Sequence, residues 1–145
     1  MTSLSKIRKN GFTLIELMIV VVILSLLATI VVPKILNKPE QARRAKAKVD
    51  IAAIQNALGL FKVDTGRFPT TAEGLTALVQ NPGLKNYDPD GYLAKKPKDP
   101  WGRDYVYLCP GAAGRDYDLE SHGRDGAPNG NNENADISCW NLQEN

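Results

Sequence analysis

From Phe12 to Val32 the chain reads FTLIELMIVVVILSLLATIVV, 21 residues carrying one charge, Glu16. A helix of that length rises about 30 Å, the thickness of a bilayer's hydrocarbon core. Being apolar on every side, it predicts a segment surrounded by lipid or by other helices. Pro33 and Pro39 come next, and each is expected to bend or loosen the helix because neither offers a backbone N–H. The pattern then changes. Ala47, Ile51, Ile54, Leu58 and Phe61 recur at intervals of four, three, four and three, which predicts a helix over 39–62 with one buried face. Asp64-Thr65-Gly66 supplies a stop, with Gly66 as the C-terminal cap.

The remaining segments are short. Thr70 and Glu73 stand at capping-box spacing ahead of Leu75, Leu78 and Val79, predicting a short helix that ends at Asn81-Pro82-Gly83. Residues 84–100 are rich in Pro, Gly, Asp and Lys and read as loop. Tyr105 to Cys109 alternates like a strand, 110–114 turns, and Tyr117-Asp118-Leu119 can return as an antiparallel partner. A further short strand is expected within 137–142. A small sheet against one helix face is an α+β head.

Charge alters the picture once it is divided. The chain has 18 basic and 16 acidic residues, a net of +2. Three bases (Lys6, Arg8, Lys9) precede Gly11, which leaves 15 bases against 16 acids from Phe12 onward. The basic flank places the N-terminus in the cytoplasm and the bulk of the chain outside. An apolar run longer than a secretory signal's, with its small residue in front, argues against ordinary signal cleavage. Without net positive charge beyond the leader, nucleic-acid binding loses its electrostatic basis.

One His and two Cys exclude centres that need several imidazoles or thiolates. No Walker loop, Gly-x-Gly-x-x-Gly or Gly-x-Ser-x-Gly is present. Asp116 and Asp118 lie two apart on one strand face with no facing partner, which argues against glycosidase chemistry. Cys109 and Cys139, with 29 residues between them, fit a disulfide worth about 3–4 kcal/mol in an oxidising compartment, with free buried thiols as the alternative. Lys34, Lys38, Arg43, Arg44, Lys46 and Lys48 are opposed only by Glu40. They read as a face near anionic headgroups or as partners for acids of a neighbouring subunit. From Asp104 onward eight acids face Arg115 and Arg124. Within that region, residues 121–136 are rich in Gly, Asn and Asp with almost no apolar anchor: either a mobile acidic loop or an oxygen-rich site for a hard cation.

Glu16 is costly in an apolar helix unless it is paired or snorkels to the headgroups. Cleavage between Gly11 and Phe12 would place a new α-amine four residues away, a natural counter-ion. Lys-Asn-Gly11-Phe12-Thr13-Leu14-Ile15-Glu16 resembles the type IV pilin prepilin motif. That resemblance implies cleavage after Gly11 by a prepilin peptidase, methylation of the Phe12 amine, and a role for Glu16 in docking subunits into a helical filament. The Asp99-Pro100-Trp101-Gly102-x-x-Tyr105 segment, Gly123-x-Asp125-Gly126, and Ala135-Asp136-Ile137 before Trp140 resemble the major pseudopilins of type II secretion, the G subunits. This second resemblance implies a calcium ion held by the Asp125 and Asp136 side chains and the backbone oxygens of His122 and Ala127, with Glu133 or Asn134 a further ligand.

The expected architecture is therefore α+β and type IV pilin-like: a long N-terminal helix, hydrophobic then amphipathic, packed on a small antiparallel sheet. The expected organisation is a leader over 1–11, a transmembrane or filament-core helix over 12–33, and a periplasmic head over 34–145. The resemblance implies a non-enzymatic subunit of the bacterial inner membrane that polymerises into a periplasmic pseudopilus and drives export of folded proteins. Its implied partners are its own copies, minor pseudopilins, the prepilin peptidase, the inner-membrane secretion platform and the membrane, with no nucleic acid. A type IV or competence pilin forming a surface fibre is the nearest alternative. A membrane-anchored calcium-binding domain that never polymerises is a more distant one.

Overall fold

The computed structural model describes the backbone of residues 12–36 and 38–143 and the side chains of 12–28 and 39–143. The expected leader, Gly11 included, lies outside the described residues. The chain divides into two compact units, residues 1–38 and 39–145.

In the first unit, α1 (Leu14–Leu36) is 23 residues long, and Pro33 does not end it. Its start is a reciprocal capping box. The Thr13 N–H donates to Glu16 Oε2 at 3.4 Å, and the Glu16 N–H donates to Thr13 Oγ1 at 3.3 Å. Glu16 thus caps its own helix, where a carboxylate also meets the positive end of the helix dipole. Large apolar side chains from Leu14 to Leu27 are 43% to 84% exposed. Among the described residues, no helix is long and apolar enough to cross a membrane.

The second unit is built on α2 (Lys38–Thr65). Pro39 sits in its first turn, where a missing N–H costs nothing. Gly66 ends it with φ +80°, its N–H reaching Lys62 O at 2.8 Å, as expected of a left-handed cap. The predicted stripe is the core face: Ala47, Ile51, Ile54, Leu58 and Phe61 are all buried. Thr70 and Glu73 do form a capping box, with the Thr70 N–H on Glu73 Oε2 at 2.7 Å and the Glu73 N–H on Thr70 Oγ1 at 3.3 Å. The box opens the expected short helix, which takes 3-10 geometry over Gly74–Leu78. So few residues before Asn81-Pro82 cannot offset the cost of α-helix nucleation.

The sheet has three antiparallel strands in the order β1 (Val106–Leu108), β2 (Asp118–Ser121), β3 (Ile137–Ser138). Val106 faces Glu120 and Leu108 faces Asp118; Glu120 also faces Ser138. Tyr105, Tyr107, Tyr117, Leu119 and Ile137 bury against the same cluster as the α2 stripe, so the second unit is an α+β head. Phe61, Tyr87 and Tyr92 close its other end with edge-on ring contacts.

One expectation needs correction: Cys109 and Cys139 are free thiols, not a disulfide. Cys109 lies just past β1 and Cys139 just past β3, and β2 runs between them. Two strand spacings are about 9.6 Å, whereas bridged cysteines need Cα atoms about 4.4–6.8 Å apart. The Cys139 N–H bonds across to Leu119 O at 2.8 Å, and burial pushes its thiol pKa up.

Candidate functional site

The acidic loop between β2 and β3 is fastened at both ends by polar groups from elsewhere in the head. At the entry stands Asp99, 5% exposed. Its Oδ1 accepts the N–H groups of Trp101 at 3.1 Å and Arg103 at 2.8 Å, the turn that the Asp-Pro-Trp-Gly sequence encodes. Its Oδ2 accepts the Ser121 hydroxyl at 2.8 Å, and Ser121 Oγ in turn accepts the Gly123 N–H at 3.2 Å. Arg103, held through its own backbone by Asp99, sends its guanidinium to the carbonyls of Gly123 (2.7 Å) and Arg124 (3.0 Å). The fit is close, since a Cβ on Gly126 would lie 2.5 Å from Arg103 Nε.

At the exit, Arg44 of α2 donates to Ala135 O at 2.7 Å and Glu133 O at 3.4 Å. The charge pattern puts Arg44 on a face for headgroups or a neighbouring subunit, yet its partners are in the loop of its own head. Glu40, also of α2, is 6% exposed, accepts the Trp101 indole N–H at 3.0 Å and lies 3.6 Å from Arg43. The Arg44 and Trp101 contacts span 61 to 91 residues, so no local sequence pattern points to them.

The structure does not bring the expected calcium ligands together as one carboxylate cluster. Among the described residues, no three His, Cys, Asp or Glu side chains form a metal-holding group. Asp125 is exposed, its Oδ1 accepting the Ala127 N–H at 3.1 Å. Glu133 faces Arg124 at 3.5 Å. The His122 carbonyl accepts the Gly126 N–H at 3.2 Å, while its ring faces Glu120 at 3.2 Å. Asp136 is different. Its Oδ2 accepts the Asn129 N–H at 2.7 Å, and its Oδ1 is buried with no hydrogen-bond partner. A buried carboxylate oxygen without a donor is costly, and a hard cation completed by backbone carbonyls is the chemistry that would satisfy it. The unpartnered Asp136 oxygen fits such an ion, while Asp125 and Glu133 do not gather with it into a three-carboxylate group.

The other acids hold the fold. Asp118 accepts from the Ala112 N–H, Arg115 and the Trp140 indole, and these bonds hold its carboxyl below the usual range against the opposing effect of burial. Asp116 pairs with Lys62 at 3.2 Å. In the groove beside α2, about 590 Å³, Asp50 is engaged by Lys46 and by the Tyr105 hydroxyl at 3.3 Å.

An apolar helix opening on a Thr-Glu capping box, together with a head in which a helix backs three short strands, defines a pilin-like subunit. Residues 6–32 match the prokaryotic N-terminal methylation motif, and residues 34–140 match the type II secretion system protein G family. The chain belongs to that family and is a pseudopilus subunit of the type II secretion system. It is 50% identical to the type II secretion system core protein G of Pseudomonas aeruginosa over 137 residues, covering 92% of this chain and 96% of the relative. To the Vibrio cholerae core protein G it is 48% identical over 145 residues, covering 97% and 99%. Its fold matches the crystal structure of the major pseudopilin from the type 2 secretion system of enterohaemorrhagic Escherichia coli. That match has a TM-score of 0.63 and 39% identity, covering 74% of this chain and 91% of that one.

Proposed function

We propose that this chain is a major pseudopilin that a prepilin peptidase cuts after Gly11 and methylates at Phe12. It is then held by α1 in the bacterial inner membrane, with its head in the periplasm, until it polymerises. Minor pseudopilins and the inner-membrane platform are its partners in building a pseudopilus that drives folded proteins outward. The observation that carries this reading is α1 itself. Its apolar side chains are exposed all round from Leu14 to Leu27, a surface that water does not tolerate and that lipid or neighbouring helices must cover. The Thr13–Glu16 capping box supports the role of Glu16. It orients the carboxylate at the helix start through the Thr13 N–H, one residue from the Phe12 amine that cleavage would release.

The acidic loop, in this reading, binds calcium through Asp136 and Asp125, the carbonyls of His122 and Ala127, and Glu133. The ion would supply the positive charge that the buried Asp136 oxygen lacks.

The test is the mature N-terminus and the behaviour of Glu16→Ala. Assembled filaments should carry N-methylated Phe12, and Glu16→Ala should yield no filament while the thermal melt of the head stays unchanged. Filaments retaining residues 1–11, or normal filament yield from Glu16→Ala, would overturn the proposal.

A further inference from the structure

We infer that Arg44 and Arg103 are positioning residues for the cation loop, gripping its two arms so that the loop is shaped before an ion arrives. The inference rests on the calcium reading of the loop. Residues 122–136 bury almost no apolar side chain, so their backbone groups need partners from elsewhere in the head. Arg103 supplies two donors to successive carbonyls at the entry, Gly123 and Arg124. Arg44 supplies the exit, bonding Ala135 O immediately before Asp136. The two arms also touch: a Cβ on Gly123, whose φ is +63°, would stand 3.2 Å from both Asn134 O and Ala135 O. Each guanidinium is seated on the rigid part of the head, Arg44 on α2 and Arg103 on the turn ordered by buried Asp99.

The chemistry divides the loop's oxygens. The carbonyls of Gly123, Arg124, Glu133 and Ala135 are occupied by guanidinium donors. Asp136 Oδ1 is left unpartnered, and neither guanidinium takes the Ala127 carbonyl or that of His122, which accepts the Gly126 N–H. Two opposing effects act on an incoming cation. The guanidiniums repel it, but they are partly exposed and screened by water. They also relieve it of ordering more than a dozen residues, which is the larger effect. Removing either guanidinium should therefore weaken binding, by the roughly 10- to 100-fold typical of groups that orient metal ligands.

The experiment titrates calcium chloride into the full-length protein in detergent micelles by calorimetry. It also measures amide hydrogen exchange in chelator for wild type, Arg44→Gln, Arg103→Gln and Arg44→Lys. The expected result is an affinity loss of about tenfold or more in both Gln variants. It should come with lost protection at loop amides such as Asn129 and Asn134, unchanged protection at β2 amides, and partial rescue by Arg44→Lys. Unchanged affinity with unchanged loop protection overturns the inference, as does tighter binding or a loss of protection spread evenly over the sheet. If wild type shows no calcium binding while Arg44→Gln still frees the loop, the calcium reading fails and the clamp stands.

Discussion

Asp99 is the residue whose removal tests the anchoring of the loop most directly. Its carboxylate accepts three hydrogen bonds, and Asp99→Ala removes all three at once. The donors do not suffer equally. Ser121 is 1% exposed, so its hydroxyl loses its partner without water to replace it, at about 1–2 kcal/mol. The Trp101 and Arg103 N–H groups lie nearer solvent and should cost about 0.5–1 kcal/mol each. The sum is about 2–4 kcal/mol, or about 8–16 °C in melting temperature for a head of this size. Asp99→Asn keeps one oxygen for the two backbone N–H groups and forfeits mainly the Ser121 bond, so about 1 kcal/mol is expected.

The assay is a thermal melt of the full chain in detergent, monitored by tryptophan fluorescence. Both tryptophans, Trp101 and Trp140, lie in the 39–145 unit, so the signal reports on the head. A melt of Asp99→Ala within a degree or two of wild type would refute the reasoning, because a buried carboxylate with three donors cannot be idle. Equal losses for Asn and Ala would refute the division of cost between Ser121 and the backbone.

Two other contacts give further expected outcomes. The Glu73 carboxyl is held down to about 2, chiefly by the Arg67 guanidinium and also by Thr70. Its folded value is thus depressed below the ordinary 4.5, and the stability it contributes is complete above that value and is lost as pH falls toward 2. With Arg67 38% exposed, solvent screening limits the amount to about 1 kcal/mol; melts at pH 7 and 3 should differ by less in Glu73→Gln than in wild type, and equal differences would refute the pairing. Cys109 is half-buried and Cys139 buried with its thiol pKa raised, so native alkylation should modify Cys109 first, and denaturation without reductant should release two thiols per chain. Absence of free thiol on denaturation would refute the separation of the two cysteines across β2.

The features legible in the sequence are those that repeat or cap locally. The α2 stripe, the Gly66 stop, the Thr70–Glu73 box and the hairpin through 110–114 all rest on residues within one or two turns of each other. Periodicity and side-chain-to-backbone reach are visible there without a fold. The cysteine reading fails for the converse reason. A count of two and a spacing of 29 residues say nothing about which strand lies between them, and β2 does. The basic face of α2 is legible as charge but not as contact, because the partners of Arg44 are backbone carbonyls, which every residue has and no residue type announces.

The same limit explains why the loop reads equally well as mobile or as cation-binding. Its own composition offers oxygens and no anchor, and the anchors are Asp99, Arg103 and Arg44, contributed from outside it. Ser121, buried at the end of β2, joins the turn to the loop: it donates to Asp99 and accepts from Gly123, the residue whose carbonyl Arg103 holds. Through Arg44, α2 reaches the same loop from the opposite side. A change in α2 that moved Arg44 by more than a hydrogen-bond length would release Ala135 O and, with it, the residue beside Asp136. The α2 helix and the acidic loop are thus mechanically one piece within the head. If neighbouring subunits press on α2 in an assembled pseudopilus, the loop will feel it, and the hydrogen-exchange protection of its amides should differ between free subunits and filament.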